Sequence, residues 1–292
     1  MTADPQLERL RMLIKEMGSA LVCYSGGVDS AFIYAVAHEV LGDRAVAMTA
    51  VSPSLAPFEE EAAVAIAKQI GGRHELVPSS EIEDPSYQAN GTDRCFFCKS
   101  ELYRLSAIKK TEWGLAFAIN GTNLDDLGDY RPGLEAAKNA AVRSPLIEAE
   151  FRKADVRRCA ALMGLSVWDK PAAACLSSRI PFGTSVTRER LAQIGGFEAE
   201  LHALGLRQVR VRWHALGEAT GKDTSTPKTK SGAIARVEVA PDELLSAFEH
   251  RDAIVEAGKR FGFQYVTLDL QGYRTGSHNE VLVVGKSLRI IS

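Results

Sequence analysis

Residues 25–30, "SGGVDS", combine Ser25, Gly26, Gly27, Asp29 and Ser30 in a way that suits holding an anion. An apolar run at 21–24 precedes them, and Phe32, Ile33, Val36 and Val40 follow at three- and four-residue spacings. That order predicts strand, glycine turn, helix. Glycines let the backbone approach a ligand closely, and the first N–H groups of a helix lack partners. The helix dipole adds to the attraction for phosphate. The stretch has neither the Gly-Lys-Ser/Thr ending of a Walker loop nor the third glycine of the dinucleotide fingerprint. A ligand-free tight turn is the alternative; the flanking serines and the enclosed aspartate favour the anion site.

A second group lies in "INGTNLDD", where Gly121 and Asn123 stand beside Asp125 and Asp126. Such residues suit ribose contacts and a magnesium ion, which usually takes one or two carboxylates and keeps waters. Asp29 and Asp126 are the candidate magnesium ligands. A plain capped helix start is the alternative. Ser52, at the end of a second apolar run, joins the nucleotide candidates.

The chain has five cysteines. Cys23 and Cys159 sit in apolar patterns and read as core residues. Cys95 and Cys98, in "DRCFFCK", have C-x-x-C spacing at an expected helix start, where thiol pKa values fall. Cys175 stands among small residues, with Ser177, Ser178 and Arg179 following; Arg179 suits stabilising a thiolate or an anionic substrate. A structural zinc site would want four ligands, and neither a second C-x-x-C nor a nearby histidine completes that set. Redox chemistry, an iron–sulfur cluster with one open iron, and a single active cysteine all remain compatible with the spacing.

A third group is cationic. Arg210 and Arg212 alternate on a predicted strand and so share a face, and arginine grips phosphate through paired donors. The turn "DLQGYRTGSHNE" adds Asp269, Tyr273, Arg274, Ser277 and Asn279. Together they suggest a phosphate-bearing second substrate, with Glu198 and Glu238 as further candidates for that cleft. Solvated surface arginines are the alternative.

The elements that must carry these groups alternate. A helix is expected at 5–17, strands near 21–24, 45–52, 73–78 and 115–119, and helices between them. This is the pattern of an α/β, doubly wound parallel sheet, whose ligands gather at the carboxyl ends of the strands. From residue 172 the character changes to strands near 207–214, 234–241, 264–270 and 280–285 and one helix over 242–262. We expect a first domain at 1–171 and a smaller α+β domain at 172–292. Residues 216–232, rich in Gly, Ser, Thr and Lys, read as a loop. With 292 residues, 46% apolar and 25% charged content, the composition is that of a globular protein. The net charge of −2 gives no global reason to expect a nucleic-acid or membrane partner. No run reaches the length of a membrane span and the start lacks a signal-peptide plan, so the cytoplasm is expected.

"SGGVDS" resembles the signature of the PP-loop ATP pyrophosphatases. With "DRCFFCK", "INGTNLDD", "RPG", "PAAACLSSRIP", "VRVR", "ARVEV" and "VTLDLQGYRTGSHNE", the chain resembles, over about residues 5–286, the LarE family of ATP-dependent sulfur transferases. The resemblance implies work in nickel-pincer cofactor biosynthesis on pyridinium-3,5-biscarboxylic acid mononucleotide. A substrate carboxylate would be adenylated by ATP with magnesium and then converted to a thiocarboxylate. It implies two alternative sulfur sources. Either Cys175 gives up its own sulfur, or Cys95, Cys98 and Cys175 hold a [4Fe–4S] cluster carrying an extra sulfide. The presence of all three cysteines favours the cluster. Arg210 and Arg212 would hold the substrate phosphate, with Glu198 and Glu238 near the metal and substrate sites, and a homo-oligomer is implied. The 216–232 loop exceeds the family's usual connection. A PP-loop tRNA thiolase, an ATP-dependent amidating ligase and a non-catalytic adenine-nucleotide-binding module are the rival readings.

Overall fold

The computed structural model describes residues 4–128, 132–171, 173–216 and 232–274. The chain divides into two compact units, residues 1–174 and 175–292.

In the first unit the elements run α1 (Pro5–Met17), β1 (Ala20–Cys23), α2 (Val28–Leu41), β2 (Ala45–Val51), α3 (Pro57–Ile70), β3 (Arg73–Pro78), α4 (Pro85–Gln88), α5 (Arg94–Glu112), β4 (Phe117–Ile119), α6 (Pro132–Asn139), α7 (Pro145–Glu148) and α8 (Lys153–Leu162). The strands form one parallel sheet in the order β3-β2-β1-β4. The alternation of β1 explains how a four-residue strand organises the unit. Ala20 and Val22 face a core shared with α1, α2, α3 and α8, through Leu10, Phe32, Ile66 and Val156. Leu21 and Cys23 face a second core with Tyr103 and Leu105 of α5 and Ala136 of α6. Helices therefore cover both faces. α2 is apolar almost all round, "AFIYAVA", and is buried accordingly. From β1 the order runs outward through β2 to β3, then returns to the other side of β1 for β4. The gap between the ends of β1 and β4 is thus the topological switch point, where open α/β sheets bind ligands.

In the second unit α9 (Arg188–Ala203), β5 (Val209–Ala215), β6 (Ala233–Val239), α10 (Leu244–Glu249), α11 (Arg251–Arg260) and β7 (Tyr265–Leu268) follow one another. β6 lies between antiparallel β5 and parallel β7. Val209, Val211, Val237 and Val239 are buried on one face of this sheet, while the arginines alternate onto the other. The single helix expected over 242–262 is two helices. The break falls at His250 (φ −89°, ψ 11°), whose backbone N–H and ring Nδ1 both turn to the Ser246 carbonyl. Residues 217–231, the expected strand at 280–285, and Ser277 and Asn279 lie outside the described residues.

Candidate functional site

At the switch point lies a cleft of about 320 Å³. Ser25, Gly27, Asp29 and Ser30 line it from the loop after β1 and the start of α2, Asn120, Gly121, Thr122 and Asp126 from the loop after β4, and Lys99, Leu102 and Tyr103 from α5. The loop's shape has identifiable causes. Gly26 takes φ +71°, and a Cβ there would lie 2.7 Å from the Cβ of Ala63, so glycine is needed both for conformation and for contact with α3. Ser30 Oγ donates to the Gly27 carbonyl at 3.0 Å and accepts from Ser25 N–H at 3.1 Å, closing the loop on itself. Gly27 caps α2 without a side-chain bond, so the first N–H groups of the helix gain no side-chain acceptor. Gly121 packs backbone to backbone on this helix start, where an added Cβ would fall 2.7 Å from Ser30 N.

Around the loop the charges are paired. Asp29 Oδ1 accepts from Asn123 Nδ2 at 3.3 Å and Oδ2 from Lys153 Nζ at 2.5 Å. Asp126 Oδ2 accepts from Asn123 N–H at 3.0 Å. Two carboxylates on one cleft suit a magnesium ion accompanied by phosphates. Lys170 donates to Glu59 at 2.7 Å and to the Gly26 carbonyl at 3.4 Å, tying the loop to α3. Ser52 is not among the residues lining the cleft; its hydroxyl donates to Glu81, a buried carboxylate that also accepts from Ser54 and Ser79.

The thiols divide by environment. Cys23 lines the inner wall of the cleft, and burial pushes its pKa up to about 11, which leaves it a poor nucleophile. Cys159 is buried in the core. Cys95 is exposed and Cys98 half-buried, neither in a disulfide, one turn apart at the start of α5. Lys99 beside them lines the cleft. Burial pulls its ammonium down, but Tyr103 and the thiols of Cys98, Cys23 and Cys95 together hold it above the ordinary lysine value. Accessible soft donors of this kind fit iron–sulfur ligation better than a hard cation. Among the described residues no three His, Cys, Asp or Glu side chains gather as a metal-binding set. Cys95 and Cys98 belong to the first unit and Cys175 to the second.

In the second unit Cys175 is half-buried and begins a 3-10 turn, Leu176–Arg179. Sequence reasoning gave Arg179 to a thiolate or a substrate; among the described residues its guanidinium meets a carboxylate. It pairs with Glu198 through Nε at 2.9 Å and Nη2 at 3.1 Å, both side chains nearly fully buried. Arg179 Nη1 reaches the Cys175 carbonyl at 3.1 Å, so it positions the cysteine's backbone. Glu198 also accepts from Val211 N–H at 2.8 Å and so joins α9 to β5. On the polar face of the sheet, Arg212 donates to Glu238 at 2.7 Å and to the Ser178 carbonyl at 3.1 Å. Arg236 pairs with Glu238 at 3.1 Å and with Asp269 at 2.6 Å. Arg210 lies over the Tyr273 ring at 5.2 Å; burial and then Arg179 lower its pKa below the ordinary arginine value. The structure thus brings Arg210, Arg212, Glu198 and Glu238 into one network, with Asp269 joined through Arg236. Arg274 is exposed.

Sequence reasoning missed Lys99, Tyr103 and Lys153. Lys99, Leu102 and Tyr103 recur at helical spacing after the C-x-x-C and were available as one face. Lys153 carried a subtler signal, a cation in the first turn of a helix, where the dipole disfavours it.

A parallel sheet with its glycine loop at the switch point, followed by a smaller α+β unit, defines a protein of the PP-loop class. The chain is 44% identical over 281 residues to an uncharacterized protein of Synechocystis sp., covering 96% of this chain and 98% of that one. It is 34% identical over 271 residues to the pyridinium-3,5-bisthiocarboxylic acid mononucleotide synthase of Lactiplantibacillus plantarum, covering 92% of each. To an uncharacterized protein of Methanocaldococcus jannaschii it is 24% identical over 255 residues, 87% of this chain and 90% of that one. No protein-family model matches the chain. It belongs to the LarE family. No helix among the described residues is long and apolar enough to cross a membrane.

Proposed function

We propose that the chain is an ATP-dependent sulfur transferase that converts carboxylates of pyridinium-3,5-biscarboxylic acid mononucleotide into thiocarboxylates. One observation carries the reading: in a member of the LarE family, the glycine loop and the C-x-x-C helix are walls of the same cleft. The loop and the start of α2 would hold the β- and γ-phosphates. Asp29 and Asp126 would hold magnesium, which would offset the phosphate charge.

A substrate carboxylate oxygen attacks the α-phosphorus; the new O–P bond forms as the α,β-bridging P–O bond breaks, and pyrophosphate leaves with the electron pair. The acyl adenylate is a far better electrophile than the carboxylate. A sulfur nucleophile then attacks the carbonyl carbon, the C–S bond forms, and AMP leaves. Arg210 and Arg212 would hold the substrate phosphate by paired donors. Cys95, Cys98 and Cys175 would hold a [4Fe–4S] cluster, which when bound would supply the sulfur on its open iron. Lys99 follows Cys98 on the same helix and brings a cation to the cleft wall.

The test is protein purified and reconstituted without oxygen, assayed for iron and sulfide, then for pyrophosphate release and intact mass after one round with ATP, magnesium and substrate. About four irons per chain, lost in Cys95→Ser and Cys98→Ser, and unchanged mass are expected. No iron and a mass loss of about 34 Da would move the sulfur source to Cys175 itself. ATP binding without pyrophosphate release would refute the transferase reading.

A further inference from the structure

Among the described residues, positive charge is scarce in the cleft. The charged lining residues among them are Asp29, Asp126 and Lys99, two carboxylates against one ammonium. A helix start adds only about half an elementary charge. A site for a polyphosphate needs more, and the structure holds a further cation one contact away.

Lys153 occupies the first position of α8, next to Arg152. Two cations there oppose the helix dipole, a cost of a few tenths of a kcal/mol or more, so their placement calls for a reason. Asp125 supplies it for the backbone: it accepts from Lys153 N–H at 2.8 Å and from Arg152 Nη1 at 2.9 Å. The base of the Lys153 side chain is thereby fixed to the loop that follows β4. Its head reaches Asp29 Oδ2, while Asn123 holds Oδ1. The pair is not deeply buried, with side-chain exposures of 34% for Lys153 and 25% for Asp29. An ion pair so open to water is easily exchanged, and the flexible lysine stem can redirect its ammonium without moving the helix.

We propose that Lys153 is the exchangeable counter-ion of the phosphate loop. It neutralises Asp29 when no nucleotide is bound, and its ammonium passes to a phosphate oxygen of ATP as Asp29 takes up magnesium. This inference rests on the reading of the cleft as an ATP site.

The experiment is equilibrium titration of the full chain with ATP, at a series of magnesium concentrations, for wild type, Lys153→Ala and Lys153→Arg, with a thermal melt of each. Lys153→Ala weakens ATP binding at saturating magnesium about tenfold. It also moves the magnesium midpoint to lower concentration, because Asp29 no longer has an ammonium to release. Lys153→Arg retains ATP affinity to within about threefold. A purely structural lysine would lower the melting temperature and leave the magnesium midpoint in place, which overturns the proposal. Unchanged ATP affinity in Lys153→Ala overturns it as well, while the ATP reading stands. Wild-type protein that binds no ATP overturns that reading and this inference together.

Discussion

Gly121 offers a direct way to disturb the phosphate loop by the addition of a single methyl group. A methyl group there would lie 2.7 Å from Ser30 N, 2.8 Å from the Asp29 carbonyl carbon and 3.0 Å from its oxygen. All three are backbone atoms of the first turn of α2, so no side chain can swing aside. Ordinary contact begins at 3.4 Å, and the β4 loop and the helix start must therefore separate by about 0.7 Å. Overpacking of this kind costs about 1–3 kcal/mol. A displacement approaching 1 Å in a positioning group can cost on the order of 100-fold in function. We expect Gly121→Ala to lose about 1–3 kcal/mol in urea melts and to bind ATP at least about tenfold more weakly by calorimetry. Gly128→Ala is the control, because a Cβ there meets nothing within 4 Å; it should match wild type in both assays. Wild-type ATP affinity in Gly121→Ala would refute the argument that the loop's position against β4 governs nucleotide binding.

Three further outcomes are expected. Arg179→Ala leaves the buried Glu198 carboxylate without its ion-pair partner, and the second unit should lose about 3–5 kcal/mol in chemical melts, with Arg179→Met plus Glu198→Leu recovering much of it; a stable single variant would show that the ion pair does not stabilise this unit. Burial lowers the pKa of His74, and burial with Arg236 and Arg212 lowers that of His214. Their contribution to stability is full above the ordinary value of 6.5 and is lost as pH falls through it toward the depressed folded values. Urea midpoints should therefore drop between about pH 7.5 and about pH 5.5, and His74→Gln should flatten the profile. Finally, iodoacetamide followed by peptide mapping should label exposed Cys95 first, with Cys23 and Cys159 protected until the chain unfolds.

The sheet and the glycine loop were legible because they rest on local chemistry. Strand and helix periods differ, and only glycine tolerates both the φ of residue 26 and its contact with Ala63. Thiol placement was legible too, since the apolar settings of Cys23 and Cys159 differ from the polar setting of Cys95. What escaped was pairing across long separations. Nothing in the spacing says that Arg179 would meet Glu198, or that Lys153 would reach Asp29, because those meetings are made by the way α9 lies on β5 and by the position of α8 beside the loop. The break at His250 escaped for a smaller reason. A histidine ring can take a helix carbonyl as readily as solvent, and the apolar pattern continues across it.

α5 runs unbroken from Arg94 to Glu112, with the thiol pair on its first turn and Lys99, Leu102 and Tyr103 on the cleft wall. A single helix is stiff over this length, so whatever tilts the wall also swings Cys95. Because Cys95 points to solvent, a small environment-sensitive dye attached there would ride the wall as a needle rides a gauge. The protein so labelled becomes its own instrument, reporting nucleotide entry by a change in emission without any turnover.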